Sequence, residues 1–207
     1  ELLKVYHNTT AKFDYDLSTA SKARRALHGV ALAYLCKANT SHLTLAKKQF
    51  AEADNMTEIR SAFNALALSD ESEKRNSALN DFYNRYKSNK LLVQAWFMMQ
   101  ASHVSDKALE TAKTLLHHEQ FDSTMPNDIR AVLGGFIANT TQFHKRDGSG
   151  YQFVANYVLD LDKANPQTAS RFMDCFATWR KYDTKRQNLM KTELERLLAT
   201  DGLSKDV

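Results

Sequence analysis

SGYQFVANYVLDLDKANPQTASR, residues 149–171, decides the fold class. Val154, Tyr157, Val158 and Leu161 recur at i, i+3, i+4 and i+7, which lines them up on one face of a helix. Asn165-Pro166 closes that stripe and opens a second helix. Asn is a favoured N-cap, and Pro suits the first helical position, where its missing N–H leaves nothing unsatisfied. Two helices joined so briefly fold back antiparallel on each other.

The same period runs through the whole chain. Leu27, Val30, Ala31 and Tyr34 form one stripe, and Leu79, Phe82, Tyr83 and Tyr86 another. Leu92, Ala95, Trp96 and Met99 follow, and Met190, Leu194, Leu197 and Leu198 form the last. Thr57 is a candidate cap for TEIRSAF. Asp183 or Thr184 opens the last long helix, and Thr184 with Gln187 fits a capping box. Asp147-Gly148-Ser149-Gly150 is the one strong turn cluster and calls for Gly at positive φ. These signals predict helices over 1–8, 17–38, 42–53, 57–69, 72–88, 90–101, 105–118, 127–138, 149–163, 166–181 and 184–199. A row of short antiparallel pairs is the pattern of a HEAT-like α-solenoid, although no repeat consensus is sharp. We therefore expect an all-α chain forming a single helical domain over 1–207. Its first helix has no cap in front of it, as expected of a fragment that begins inside a helix.

Composition agrees. Only 6 Gly and 2 Pro in 207 residues leave few breaks between helices. With 43% hydrophobic and 25% charged residues the balance is that of a soluble globular protein. The N-terminal ELLKVYHNTTAKF lacks a signal-peptide core, and no apolar run is long enough to span a membrane, which points to the cytoplasm or to a fragment cut from a chain whose signal lies elsewhere. Cys36 and Cys175 have no CxxC partner or His cluster, so two free thiols are favoured over a lone disulfide. The net charge of +4 is modest, and bases and acids interleave in SDESEKRN and KTELERLL. That argues against a one-sided basic stripe for nucleic acid.

The motifs that carry chemistry are mostly missing. HEQFD, residues 118–122, falls one residue short of HExxH, with Asp122 in place of the second His. Met125-Pro126 follows closely, so Asp122 falls beyond the helix face. His117 and His118 read as cations in a helix's last turn. No GxSxG, P-loop or GxGxxG occurs, and DGSGY lacks the Lys and preceding strand of a phosphate loop. LLVQAWFMMQ reads as core, and Trp179-Arg180-Lys181-Tyr182 as a helix end. Arg130 and Arg171 each precede an apolar stretch, so each is expected to be partly buried and ready to grip a carboxylate in two-pronged geometry. Chemistry alone thus leaves an interaction domain without an active site.

A resemblance adds more. DGSGYQF (147–153), NPQTASR (165–171), RKYDTKRQ (180–187) and the closing Leu203-Ser204-x-Asp206 resemble the C-terminal helical domain of the bacterial aminopeptidase N family of zinc metallopeptidases. KQFAEADNMTEIRSAF (48–63) and PNDIRAVLGGF (126–136) fit the same family in order and spacing, so the resemblance covers essentially the whole chain. In that family the zinc is held by HExxH and a downstream Glu in an earlier domain, beside a GxMEN strand that binds the free amino group. None of these occurs here. The resemblance implies that this chain has no metal, cofactor or catalysis of its own. It implies a catalytic domain in the same polypeptide as partner, peptides as substrates, and neither nucleic acid nor membrane. It also implies that Arg130 and Arg171 face the substrate chamber; FMDCF after Arg171 departs from the usual pattern. The rival readings are a free-standing helical adaptor, which needs an exposed apolar groove, and a basic RNA-binding solenoid.

Overall fold

The computed structural model describes residues 1–10 and 15–207. Every regular element among them is helical, so the all-α class holds. The chain divides into two compact units, 1–89 and 90–207. In the first unit α1 (Leu2–Thr9) packs on α2 (Thr19–Ala38). Both α2 and α3 (Leu43–Glu52) pack on α4 (Met56–Ala67), which packs on α5 (Ser72–Tyr86). Helices stacked nearly in chain order are what a solenoid requires. The centre is aromatic. Phe63 and Phe82 stack with centroids 4.1 Å apart, and Phe50 lies beside both. All three are buried.

The second unit begins with α6 (Lys90–Ala101) and α7 (Ala108–Leu115). A continuous helical run follows, made of α8 (Pro126–Ile129), a π-helical turn (Arg130–Gly134) and α9 (Gly135–Ala138). Then come α10 (Thr140–Phe143), α11 (Ser149–Asp162), α12 (Pro166–Met173) and α13 (Thr184–Leu198). Tyr151, Val154 and Val158 of α11 are fully buried, so the stripe that decided the fold class lies in this unit's core.

Several local expectations hold atom by atom. The Asn165 side chain accepts from the Thr168 N–H at 3.0 Å, and Asp183 accepts from the Arg186 N–H at 3.2 Å. Asp183 is therefore the cap, and Gln187 donates instead to the Arg180 and Tyr182 carbonyls. Gly148 has φ of 78°, and the Asp147 carboxylate receives both the N–H and the hydroxyl of Ser149. Leu203-Ser204 docks on α11: Asp162 accepts the Ser204 N–H at 2.8 Å and its hydroxyl at 2.5 Å. Cys36 and Cys175 are free thiols, and burial pushes them up to about 11 and about 12. No helix among the described residues is long and apolar enough to cross a membrane.

Other expectations fail for identifiable reasons. Asn55, not Thr57, caps α4. It accepts from the Glu58 N–H at 3.1 Å while the Glu58 carboxylate receives the Asn55 amide at 3.1 Å, so the helix starts earlier. The run 166–181 is not one helix. After α12 it tightens into 3-10 turns at Asp174–Phe176 and Trp179–Lys181, which seats Phe176 against Phe143 and Tyr151. Helix α7 ends at Leu115, so His117 and His118 lie beyond it. On α6 the buried set is Val93, Trp96, Phe97 and Ala101, largely a step round from the predicted stripe. On α2 only Ala31 of the predicted stripe is buried. Leu27, Val30 and Tyr34 are 50%, 51% and 64% exposed.

Gly150 sits where α11 presses on the end of α10. A Cβ there would lie 2.4 Å from the Phe143 carbonyl oxygen, which is backbone and cannot yield. Gly150→Ala should therefore cost at least about 3 kcal/mol. Gly202→Ala, strained only by its φ of 80° with nothing within 4 Å, should cost about 1 kcal/mol. Urea unfolding of the two variants measures the contrast.

Candidate functional site

Arg130 opens the π-turn. Its guanidinium donates to the Asn127 side chain at 2.6 Å, and its stem lies 3.5 Å from where a Cβ on Gly134 would sit. Arg171 lies in the last turn of α12. Both arginines are exposed, which corrects the expectation of partial burial. The apolar residues that follow them, Ala131–Leu133 and Phe172, turn inward and leave the guanidinium on the outer side. Neither arginine pairs with a carboxylate among the described residues.

The frame that holds Arg130 is a buried charge. Asp128 has no exposed surface. It accepts from Lys90 Nζ at 2.6 Å, from the Gln94 amide at 2.7 Å and from the Asp122 N–H at 2.9 Å. Lys90 also donates to the Gln120 carbonyl at 2.5 Å. One carboxylate thus ties α6, the 116–125 loop and α8 together.

HEQFD lies in that loop. His118 accepts the Gln120 N–H and packs edge-on against Trp96 and Phe97. Asp122 accepts twice from Thr124, and those bonds hold its carboxyl below the usual range. With no helix under the motif, the i, i+4 geometry that zinc needs is lost. No group of three or more His, Cys, Asp or Glu side chains among the described residues could hold a metal. The residues here do not fit the zinc of the family.

Sequence reasoning missed a cavity of about 430 Å³ in the first unit. Tyr6, Arg24, Arg25, His28, Lys48, Gln49, Glu52 and Glu58 are among the residues around it. Tyr6 and His28 stack at 4.3 Å, and Tyr6 donates to Gln49 at 3.1 Å. Gln49 donates onward to the Glu58 carbonyl and the Ser61 hydroxyl. The Thr9 hydroxyl lies 2.9 Å from His28 Nδ1 and within hydrogen-bond reach of the Val5 and Tyr6 carbonyls. Arg25, 5% exposed, donates to the Asp16 carbonyl and lies over the Tyr15 ring. The signal was available: Arg25 and His28 share a face with Leu32 and Leu35. A smaller cavity of about 210 Å³ adjoins Asn64, whose side-chain oxygen is buried with no hydrogen-bond partner among the described residues.

Helices stacked by neighbour agree with one finding above all. A family model described as "Domain of unknown function (DUF3458_C) ARM repeats" matches residues 1–207. The chain belongs to this family. Among curated proteins, aminopeptidase N of Escherichia coli is 36% identical over 210 residues, and the match covers all of this chain. The aminopeptidase N of Haemophilus influenzae is 32% identical over 208 residues. Among solved structures, Legionella pneumophila aminopeptidase A in complex with aspartic acid aligns with a TM-score of 0.88 and 32% identity over the whole chain. The chain spans 24% of each of those relatives and 25% of that structure. The part of aminopeptidase N that it matches is the C-terminal region.

Two predictions follow for this DUF3458_C domain. Burial favours the neutral form of His28 and, with Arg186 nearby, of His144, so both are held below the ordinary histidine range. The unfolded chain then takes up protons first as pH falls. Stability should be complete above about pH 6.5 and should fall below it. Urea midpoints across pH 5–8 should show this drop, and His28→Gln should flatten it. Lys90→Met leaves Asp128 buried and unpaired by charge and should cost about 3 kcal/mol. Chemical denaturation checks that value.

Proposed function

We propose that this chain is the non-catalytic C-terminal helical region of a zinc aminopeptidase that removes N-terminal residues from peptides. The observation that carries the reading is the match over the full chain, at 36% identity, to about a quarter of an aminopeptidase N. The chain contains neither HExxH nor GxMEN. Zinc and chemistry would belong to a catalytic domain elsewhere in the same polypeptide, and this region would be inactive alone. As one helical domain it would close over the catalytic domain, form a chamber and limit which peptides reach the zinc. The two free thiols suit a cytoplasmic setting.

Within that reading, Arg130 and Arg171 attract the C-terminal carboxylate of the peptide and contribute to binding rather than to chemistry. Their exposure and lack of an acidic partner among the described residues leave both available for an incoming anion.

The first test is the reading frame upstream of Glu1. A frame encoding HExxH and GxMEN supports the reading, whereas a start codon just before Glu1 turns it toward a free-standing scaffold. The second test is kinetic. In the full-length enzyme, Arg171→Ala should raise KM for tetrapeptides about tenfold with kcat nearly unchanged, as loss of one charge-assisted contact in uniform binding requires. An unchanged KM removes Arg171 from the substrate site.

A further inference from the structure

Helix α2 has no charged outer side over most of its length. Its inward face buries Ala31, Leu32, Leu35 and Cys36 together with Arg25 and His28. Its outward face, from Ala23 to Tyr34, carries Ala23, Ala26, Leu27, Val30, Ala33 and Tyr34, all exposed and all uncharged. Lys22 and Lys37 lie outside that stretch, Arg25 is buried on the inward face, and Arg24 is half-buried at its edge. A surface helix ordinarily turns a charged face to water, and an outer face without charge calls for a cover. Leu27, Val30 and Tyr34 fall at i, i+3 and i+7, in line along the axis. The alanines beside them leave room for another helix to approach closely.

We propose that this face of α2 is the docking surface for a further helix of the same polypeptide, a neighbouring layer of the ARM-type stack. Three observations select that occupant. The family is built of repeats, and each repeat buries its apolar face only by stacking on the next. Terminal repeats of such arrays carry a polar outer face, which α2 lacks. The relatives are about four times as long as this chain and match it through their C-terminal region, so their polypeptide supplies the extra helices. The inference rests on the aminopeptidase reading only so far as the longer polypeptide goes.

The test compares the 207-residue chain with the full-length gene product, each carrying Val30→Cys. Position 30 is half exposed, so the substitution leaves the fold of the unit alone. Maleimide labelling is read at that peptide by mass spectrometry, with Tyr34→Cys as a second site. Position 30 should label at least about tenfold more slowly in the full-length polypeptide than in the 207-residue chain, at any protein concentration. Equal rates in the two overturn the proposal. Protection that disappears on dilution overturns it as well and assigns the face to a second copy of the chain. Protection in a polypeptide without zinc motifs upholds the docking and removes the enzyme reading. Equal labelling in a polypeptide that has them does the reverse.

Discussion

A carboxylate cannot be left alone in an apolar interior, and in the second unit this constraint organises what surrounds it. Asp128 has no exposed surface, so its charge must be met inside the fold. A lysine from the start of α6, an amide from the middle of α6 and a backbone N–H from the 116–125 loop meet it. Two of the three come from α6, more than thirty residues earlier, and the third from the loop that leads into α8. The first turn of α8 is thereby fixed, and with it Asn127 and the π-turn that begins at Arg130. The exposed cation is held in place by a buried anion two residues away.

In the first unit the buried imidazole of His28 is met without an opposing charge in contact. His28 is buried and neutral, and Tyr6, Thr9 and Gln49 complete its surroundings by stacking and hydrogen bonding. Gln49 is the hinge of this network, because its amide donates to α4 while its oxygen accepts from α1. Polar satisfaction here links three helices, so the cavity beside it is a built feature and not a packing fault.

Long, strongly periodic helices were legible because one physical rule, a single apolar stripe, governs them. The α11 stripe and the Asn165 cap are the clearest cases. The stripe on α2 was misread because the rule has two answers there. Both faces carry apolar residues, and the buried one also holds Arg25 and His28, so the apolar pattern points to the wrong side. The π-turn at Arg130 and the tightening at Asp174 were invisible for another reason. They answer to the packing of Gly135 on α6 and of Phe176 on α11, contacts that no local pattern encodes. Arg130 and Arg171 stood out by the apolar stretch that follows each and by family resemblance, but the partial burial expected of them did not follow from either. Arginine exposure depends on which side of a helix faces inward, and the helix before HEQFD ends at Leu115, sooner than its sequence suggests.

The exposure of Arg130 and Arg171 sets a condition on the proposed role. An ion pair on an open surface contributes only about 0–1 kcal/mol, because water screens both partners and the long side chain loses freedom. Two such arginines on a free domain would hold a peptide carboxylate weakly. Removing water raises the strength of the same contact several-fold, since the interaction scales inversely with the local dielectric constant. Carboxylate recognition by these residues therefore demands enclosure by another part of the polypeptide. The lid and the anion-binding roles are then one proposal, because the arginines discriminate only when the chamber is shut.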